Sequence, residues 1–225
     1  MKKLRKILLV ICMLLIVFAG YVELVNWNSK GMTYRQKLLK AVYPVWMWLG
    51  RLTNRNAVQL SNPGAQPKQS FYSLKAELND GRVLDFETLK GKKVLIVNTA
   101  SDCGYTTQYS QLQKLYESRG GKLEIIGFPA NDFKNQEKGT DSEIAEFCRR
   151  NFGVNFPIAK KTSVRPSTHQ HPVFQWLTDA ALNGWNSQAP TWNFTKYLVS
   201  EQGLLTHCFG PSVSPLGRAV LQHIE

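Results

Sequence analysis

Four thiols are candidates for chemistry in this 225-residue chain: Cys12, Cys103, Cys148 and Cys208. Their spacing forms neither a C-x-x-C pair nor the His and Cys pattern of a zinc site, so a metal is not expected. Any functional cysteine is then a single reactive thiol or one of two that meet from a distance. Cys103 has the most telling position. It follows the apolar run Val94, Leu95, Ile96, Val97 and precedes Tyr109, Leu112, Leu115 and Tyr116, which recur at helical spacing. Between a buried strand and a helix N-terminus, free N–H groups favour the anionic form of a thiol, and the thiolate is the nucleophile. The competing reading is a buried structural thiol. Cys208, inside a predicted strand, reads as a buried thiol, and Cys12, in an apolar stretch without the small residues that precede a lipid-modified cysteine, reads as an apolar membrane residue.

The elements that would position Cys103 alternate. Residues 74–86 turn at Asn79-Asp80-Gly81, a hairpin signal, and residues 94–97 read as a strand buried on both faces. A helix is predicted over residues 107–117 and a second buried strand over 123–128. Thr140 and Glu143 form a capping box ahead of Ile144, Phe147 and Cys148 on one helical face. A helix over 171–177, strands over 192–199 and 204–209 around a Glu201-Gln202-Gly203 turn, and a helix over 216–224 complete the pattern. Such alternation predicts an α/β domain with a central mixed sheet and helices on both sides.

The formal charge of +12 is uneven. Residues 1–70 hold eleven Lys or Arg and Glu23 as their one acid; residues 71–225 hold seventeen basic and fifteen acidic residues. The basic character therefore belongs to the N-terminal third and points to a membrane surface rather than to nucleic acid. Lys2, Lys3, Arg5 and Lys6 precede sixteen uncharged residues, 7–22. This is a signal peptide or an uncleaved transmembrane anchor, and the lack of A-x-A spacing around Phe18-Ala19-Gly20-Tyr21 favours the anchor. A basic N-terminus ahead of the first apolar segment favours a domain exported to a periplasmic or extracytoplasmic face. Residues 34–52 mix Trp46, Trp48 and Leu49 with Arg35, Lys37 and Lys40, and Pro44 interrupts them. They read as a helix in the membrane interface or as one packed on the globular domain. The expected organisation is an anchor over 1–28, an interfacial helix and linker over 29–70, and the catalytic domain over 71–225.

Three segments resemble the glutathione peroxidase family. Residues 97–106, Val-Asn-Thr-Ala-Ser-Asp-Cys-Gly-Tyr-Thr, resemble N-V-A-S-x-C-G-x-T, whose reactive position is selenocysteine or cysteine. Residues 128–137 resemble F-P-C-N-Q-F-x-x-Q-E, and residues 192–196 resemble W-N-F-x-K. The resemblance implies a thioredoxin-like fold, a monomer and an active-site tetrad of Cys103, Gln136, Trp192 and Asn193. Without it, Trp192 reads as core, and Gln136 and Asn193 as loop surface. It also implies reduction of hydrogen peroxide and organic or lipid hydroperoxides through a thiolate and sulfenic acid cycle, in defence against oxidative stress. No bound cofactor is implied; the electrons come from a thiol co-substrate, glutathione or a thioredoxin-like protein. For the second route, Cys148 matches the helix-borne resolving position of thioredoxin-dependent members, against a reading as a packed apolar thiol. A peroxide sensor or a thiol-disulfide relay of the same fold is the alternative function.

The chain departs from the family pattern in places. Ala130 replaces a common cysteine, Asp132 a common glutamine, and Asp102 puts a carboxylate beside the nucleophile. That charge disfavours the thiolate unless it faces solvent or pairs with a Lys or Arg. The loop between Cys103 and Gln136 is about two residues shorter than in several relatives. His169 and His171 lie outside the tetrad and read as structural.

Overall fold

The computed structural model describes residues 2–53 and 58–224. Residues 54–57, inside the segment assigned to the extension, lie outside the described residues, as do Met1 and Glu225.

A five-stranded sheet has the order β1 (Gln59–Ser61), β7 (Leu205–Phe209), β6 (Lys196–Val199), β4 (Lys93–Thr99), β5 (Leu123–Pro129). β4 and β5 are parallel and the other neighbours antiparallel, so the sheet is mixed. A separate hairpin pairs β2 (Lys75–Glu77) with β3 (Val83–Asp85). Alternation along the central strands serves two cores, as period-two side chains must. Leu95, Val97, Leu123 and Ile125 face one core. It is completed by α3 (Gln108–Ser118), α4 (Asp141–Phe152) and the C-terminal turn α7 (Arg218–Leu221). Val94, Ile96, Ile126 and Phe128 face the other core, with α5 (Pro172–Thr178) and Phe71, Phe86 and Trp176. The short α6 (Ala180–Asn183) follows α5.

The predicted elements of the domain are present, with shifted ends. The strand expected from Trp192 begins at Lys196, because residues 192–195 are bent into a turn with Phe194 at φ 68°. The closing helix is a single turn at Arg218–Leu221. The capping box at α4 is formed: Thr140 N–H donates to Glu143 Oε2 (2.7 Å), and Glu143 N–H donates to Thr140 Oγ1 (3.3 Å).

The N-terminal third differs more. α1 (Lys2–Val25) has a mean hydropathy of 2.7 over its most apolar window and only Val22 buried. Its 24 residues span roughly 36 Å, enough to cross a hydrocarbon core. α2 (Tyr34–Thr53) runs through Pro44 rather than stopping there. The lost hydrogen bond is tolerated because the helix is held on both sides of it, with Tyr43 and Met47 buried in the core of α3 and α4. Burying two such side chains contributes on the order of 3–6 kcal/mol. Of the two sequence readings of this segment, the packed helix describes these contacts. A face bearing Val45, Trp46, Trp48 and Leu49 stays exposed. Asn26 Nδ2 ties α1 to α2 through the Val22 and Lys37 carbonyls (2.8 and 3.0 Å).

The linker expected over residues 61–70 is instead part of the body, and the globular unit begins before Phe71. Gln59, Leu60 and Ser61 pair with Phe209, Cys208 and His207 as the edge of the sheet. Lys68 N–H donates to the Leu182 carbonyl (2.9 Å), and Trp176 Nε1 donates to the Gln69 carbonyl (2.8 Å). Gly184, at φ 98°, lies so close to the Gln66 carbonyl that no Cβ would fit. Polar residues and prolines resemble a linker in sequence, but here their backbone bonds are satisfied by α5, α6 and β7.

Candidate active site

Cys103 sits in the turn after β4 and is 1% exposed. Thr106 builds that turn: its Oγ1 accepts the Cys103 N–H (3.0 Å) and reaches the Ala100 and Cys103 carbonyls (2.9 and 2.8 Å). The Tyr105 N–H points at Cys103 Sγ (3.4 Å). The Trp192 and Asn193 side chains lie near enough to the sulfur to favour its charged form. Gln136 comes in behind them, accepting from Asn193 Nδ2 at Oε1 (3.0 Å), while its carbonyl accepts the Asp102 N–H (3.0 Å). The four residues singled out in sequence therefore come together, Trp192 and Asn193 near the Cys103 sulfur and Gln136 bonded to Asn193. Gln136 and Asn193 are buried rather than on the loop surface, and Trp192 is half-buried between the two cores.

The electrostatics correct one expectation. A position before a helix was expected to favour the thiolate, yet α3 begins only at Gln108, and burial pushes the Cys103 thiol above its ordinary value. The Tyr105 N–H, Trp192 and Asn193 pull it back, and the Asp102 charge adds to the rise. Asp102 pairs with Arg35 of α2, the pairing that sequence alone left open. Cys148 is 1% exposed on α4, and burial pushes its thiol up to about 12. A cavity of about 380 Å³ opens next to the turn that carries Cys103, lined by Gly104, Tyr105, Gln136, Trp192, Arg35 and Trp46 among others.

Residues 71–178 match the family described as glutathione peroxidase. The chain is 41% identical over 147 residues to the glutathione peroxidase homolog BsaA of Bacillus subtilis, covering 65% of this chain and 91% of that protein. It is 42% identical over 147 residues to a glutathione peroxidase of Lactococcus lactis, covering 65% and 92%. A crystal structure of Trgpx in its apo form superposes with a TM-score of 0.54 at 28% identity, over 70% of this chain and 96% of that one. The chain belongs to the glutathione peroxidase family.

Within the glutathione peroxidase domain, two residues that position the site were quoted in the motifs but given no role. Asn98 clamps the loop of Trp192 and Asn193. Its Nδ2 donates to the Trp192 carbonyl (3.1 Å), its Oδ1 accepts the Thr195 N–H (3.0 Å), and its carbonyl accepts the Phe194 N–H (2.6 Å). Phe194 is held in a left-handed conformation by this clamp, strain of a kind that collects at functional loops. Lys196 is fully buried, and burial holds its amine well below the ordinary value. Its Nζ donates to the Phe194 and Val213 carbonyls (both 2.7 Å), tying that loop to the segment after β7. A lysine inside a hydrophobic strand was the available signal. Glu137, 1% exposed, accepts from Ser101 Oγ (3.1 Å) behind the turn that carries Cys103, and burial pushes its carboxyl up to about 7.

The departures from the family pattern have structural counterparts. Ala130 is buried, and the Asp132 carboxylate accepts from Ser163 Oγ and the Val164 N–H (2.9 and 2.8 Å), fixing the loop beyond β5. His171 caps α5, accepting the Val173 N–H at Nδ1 (3.1 Å), and His169 is exposed. Cys208 is buried on β7, its thiol pushed up to about 12 by burial.

Proposed function

We propose that this chain is a membrane-anchored thiol peroxidase in which Cys103 reduces hydrogen peroxide and organic or lipid hydroperoxides. The observation that carries the reading is the Tyr105 N–H pointing at the Cys103 sulfur (3.4 Å), with Trp192 and Asn193 near enough to favour its anion. The sulfur attacks one peroxide oxygen, an S–O bond forms and the O–O bond breaks. The other oxygen leaves with the electron pair and takes a proton to become water or an alcohol. Cys103 becomes a sulfenic acid, oxidised by two electrons. Donors fixed in a buried site stabilise both the anion at sulfur and the charge on the departing oxygen without having to reorganise. Two thiol equivalents then return the sulfenic acid to the thiol and release water. They come from glutathione, or from Cys148 followed by a thioredoxin-like protein.

In this reading α1 crosses the membrane and the domain lies on the extracytoplasmic face. Support comes from the basic residues at the start of α1 and its exposed apolar surface. The deciding experiment is Cys103→Ser, which keeps the size of the side chain and removes the nucleophile. Peroxide consumption with either reductant should fall to background, and retention of more than a few per cent of the wild-type rate would reject the assignment.

A further inference from the structure

The catalytic turn is gripped from outside the family domain. Arg35 on α2 donates through Nη1 to the Asp102 carbonyl (3.1 Å) and pairs with the Asp102 carboxylate at Oδ2. Gln36 Nε2 donates to the carbonyl of Ser101 (3.1 Å), so the two residues ahead of the nucleophile are both held by α2. The same helix walls the cavity, with Arg35, Leu39 and Trp46 lining it together with Tyr105, Gln136 and Trp192. The family match begins at residue 71, so α2 lies ahead of it.

Asp102 is unfavourable where it stands. Its charge lies beside the sulfur that must become an anion, and its Oδ1 is enclosed with no hydrogen-bond partner among the described residues. Arg35 meets the other oxygen. We propose that Arg35 is a positioning residue of the peroxidase reaction, delivered by the N-terminal extension, whose guanidinium offsets the Asp102 carboxylate and orients the turn carrying Cys103. This rests on the peroxidase reading above. Docking of α2 does not depend on this pair, because ion pairs this exposed contribute little, while Tyr43 and Met47 are buried. Replacing Arg35 therefore leaves the helix in place and unmasks the carboxylate. The other charged or titratable groups around the turn are Lys40 on α2, Tyr105 in the turn, Tyr109 on α3, Glu137 and Lys138 after β5, and Glu143 and Cys148 on α4. All of these stay unchanged in the test.

The test uses full-length protein in detergent and two readouts. One is the pH dependence of Cys103 alkylation by iodoacetamide, followed at its own peptide by mass spectrometry. The other is the second-order rate of its oxidation by hydrogen peroxide. Arg35→Gln should raise the alkylation midpoint by about one pH unit and slow oxidation at pH 7 about tenfold, the size expected when a neighbouring charge is exposed. Arg35→Lys, which keeps the charge, should stay within about threefold of wild type. Adding Asp102→Asn to Arg35→Gln should return both readouts to near the wild-type values. An unchanged midpoint in Arg35→Gln overturns the proposal. So does a raised midpoint that Asp102→Asn fails to reverse, since Arg35 would then act only through packing. Alkylation does not require turnover, so it judges Arg35 even if the wild type consumes no peroxide, a result that would sink the peroxidase reading instead.

Discussion

Burial alone would keep Cys103 protonated, so its reactivity depends on the few groups that can oppose burial. Trp192 and Asn193 lie near the sulfur, whereas the Gln136 side chain reaches only Asn193. The three substitutions should therefore differ in size. Trp192→Ala and Asn193→Ala should each slow Cys103 oxidation about a hundredfold, the usual loss for a donor in a preorganised site, and Gln136→Ala about tenfold. Stopped-flow oxidation rates with hydrogen peroxide check the order, and equal, small losses in all three would contradict it. Glu137 makes a separate prediction about stability. Its folded pKa of about 7 lies above the ordinary value of 4.5, so the folded state holds the proton more tightly than the unfolded state. Its contribution is fully present below about pH 4.5 and is lost as pH rises through about 7. The change is on the order of 2–3 kcal/mol for a shift of this size. Thermal unfolding from pH 4.5 to 8 should show stability falling over that window, and Glu137→Gln should flatten the fall.

At the scale of elements, α4 decides whether Cys148 can reach Cys103. Both cysteines belong to one core, but on a turn and a helix respectively, and a disulfide tolerates little separation between Cα atoms. α4 is capped at both ends, by Thr140 and Glu143 and by Gly153 at φ 65°. It is tied to the extension by Asn151, whose side chain exchanges two hydrogen bonds with the Lys30 backbone (3.0 and 3.1 Å). For the two-cysteine route, one equivalent of peroxide should give a Cys103–Cys148 linked peptide by mass spectrometry. Cys148→Ser should stop at the sulfenic acid and lose thioredoxin-supported turnover. Asn151→Ala should speed disulfide formation severalfold by loosening the last turn of α4. Full thioredoxin-dependent activity in Cys148→Ser would leave Cys148 as a packed thiol and glutathione as the fitting reductant.

For the whole molecule, the extension is packed onto the domain through α2 and β1 as well as carrying the apolar α1. A cut after residue 60, within the segment that sequence assigns to helix and linker, would remove Gln59 and Leu60 from β1, expose β7 as an open edge and strip away α2. Protein beginning at residue 29 keeps α2 and should be soluble and active. Protein beginning at residue 58 keeps β1 but loses the Tyr43 and Met47 contacts and Arg35. It should melt at a lower temperature and oxidise Cys103 about tenfold more slowly, in line with an unmasked Asp102. Activity and melting curves on the two truncations check this, and equal activity would show α2 to be dispensable. Protease added to intact cells should digest the domain if α1 holds it outside.

Local chemistry was legible in the sequence. Cys103 after a run of apolar β-formers, the capping box at Thr140 and Glu143, and the W-N-F-x-K segment depend on neighbours a few residues away, so composition and spacing carried them. The same holds for α1, whose length and uncharged run over residues 7–22 suit a membrane whatever lies beyond it. Contacts between distant parts of the chain followed a different rule. Whether Gln59–Ser61 is linker or strand depends on β7 offering a free edge almost 150 residues later. Whether Asp102 opposes the nucleophile or is offset depends on Arg35, which reaches it only because Tyr43 and Met47 bury α2 against α3 and α4. The direction of the Cys103 shift was likewise decided in three dimensions, since desolvation is set by everything packed around the sulfur and outweighed the helix end that sequence could foresee.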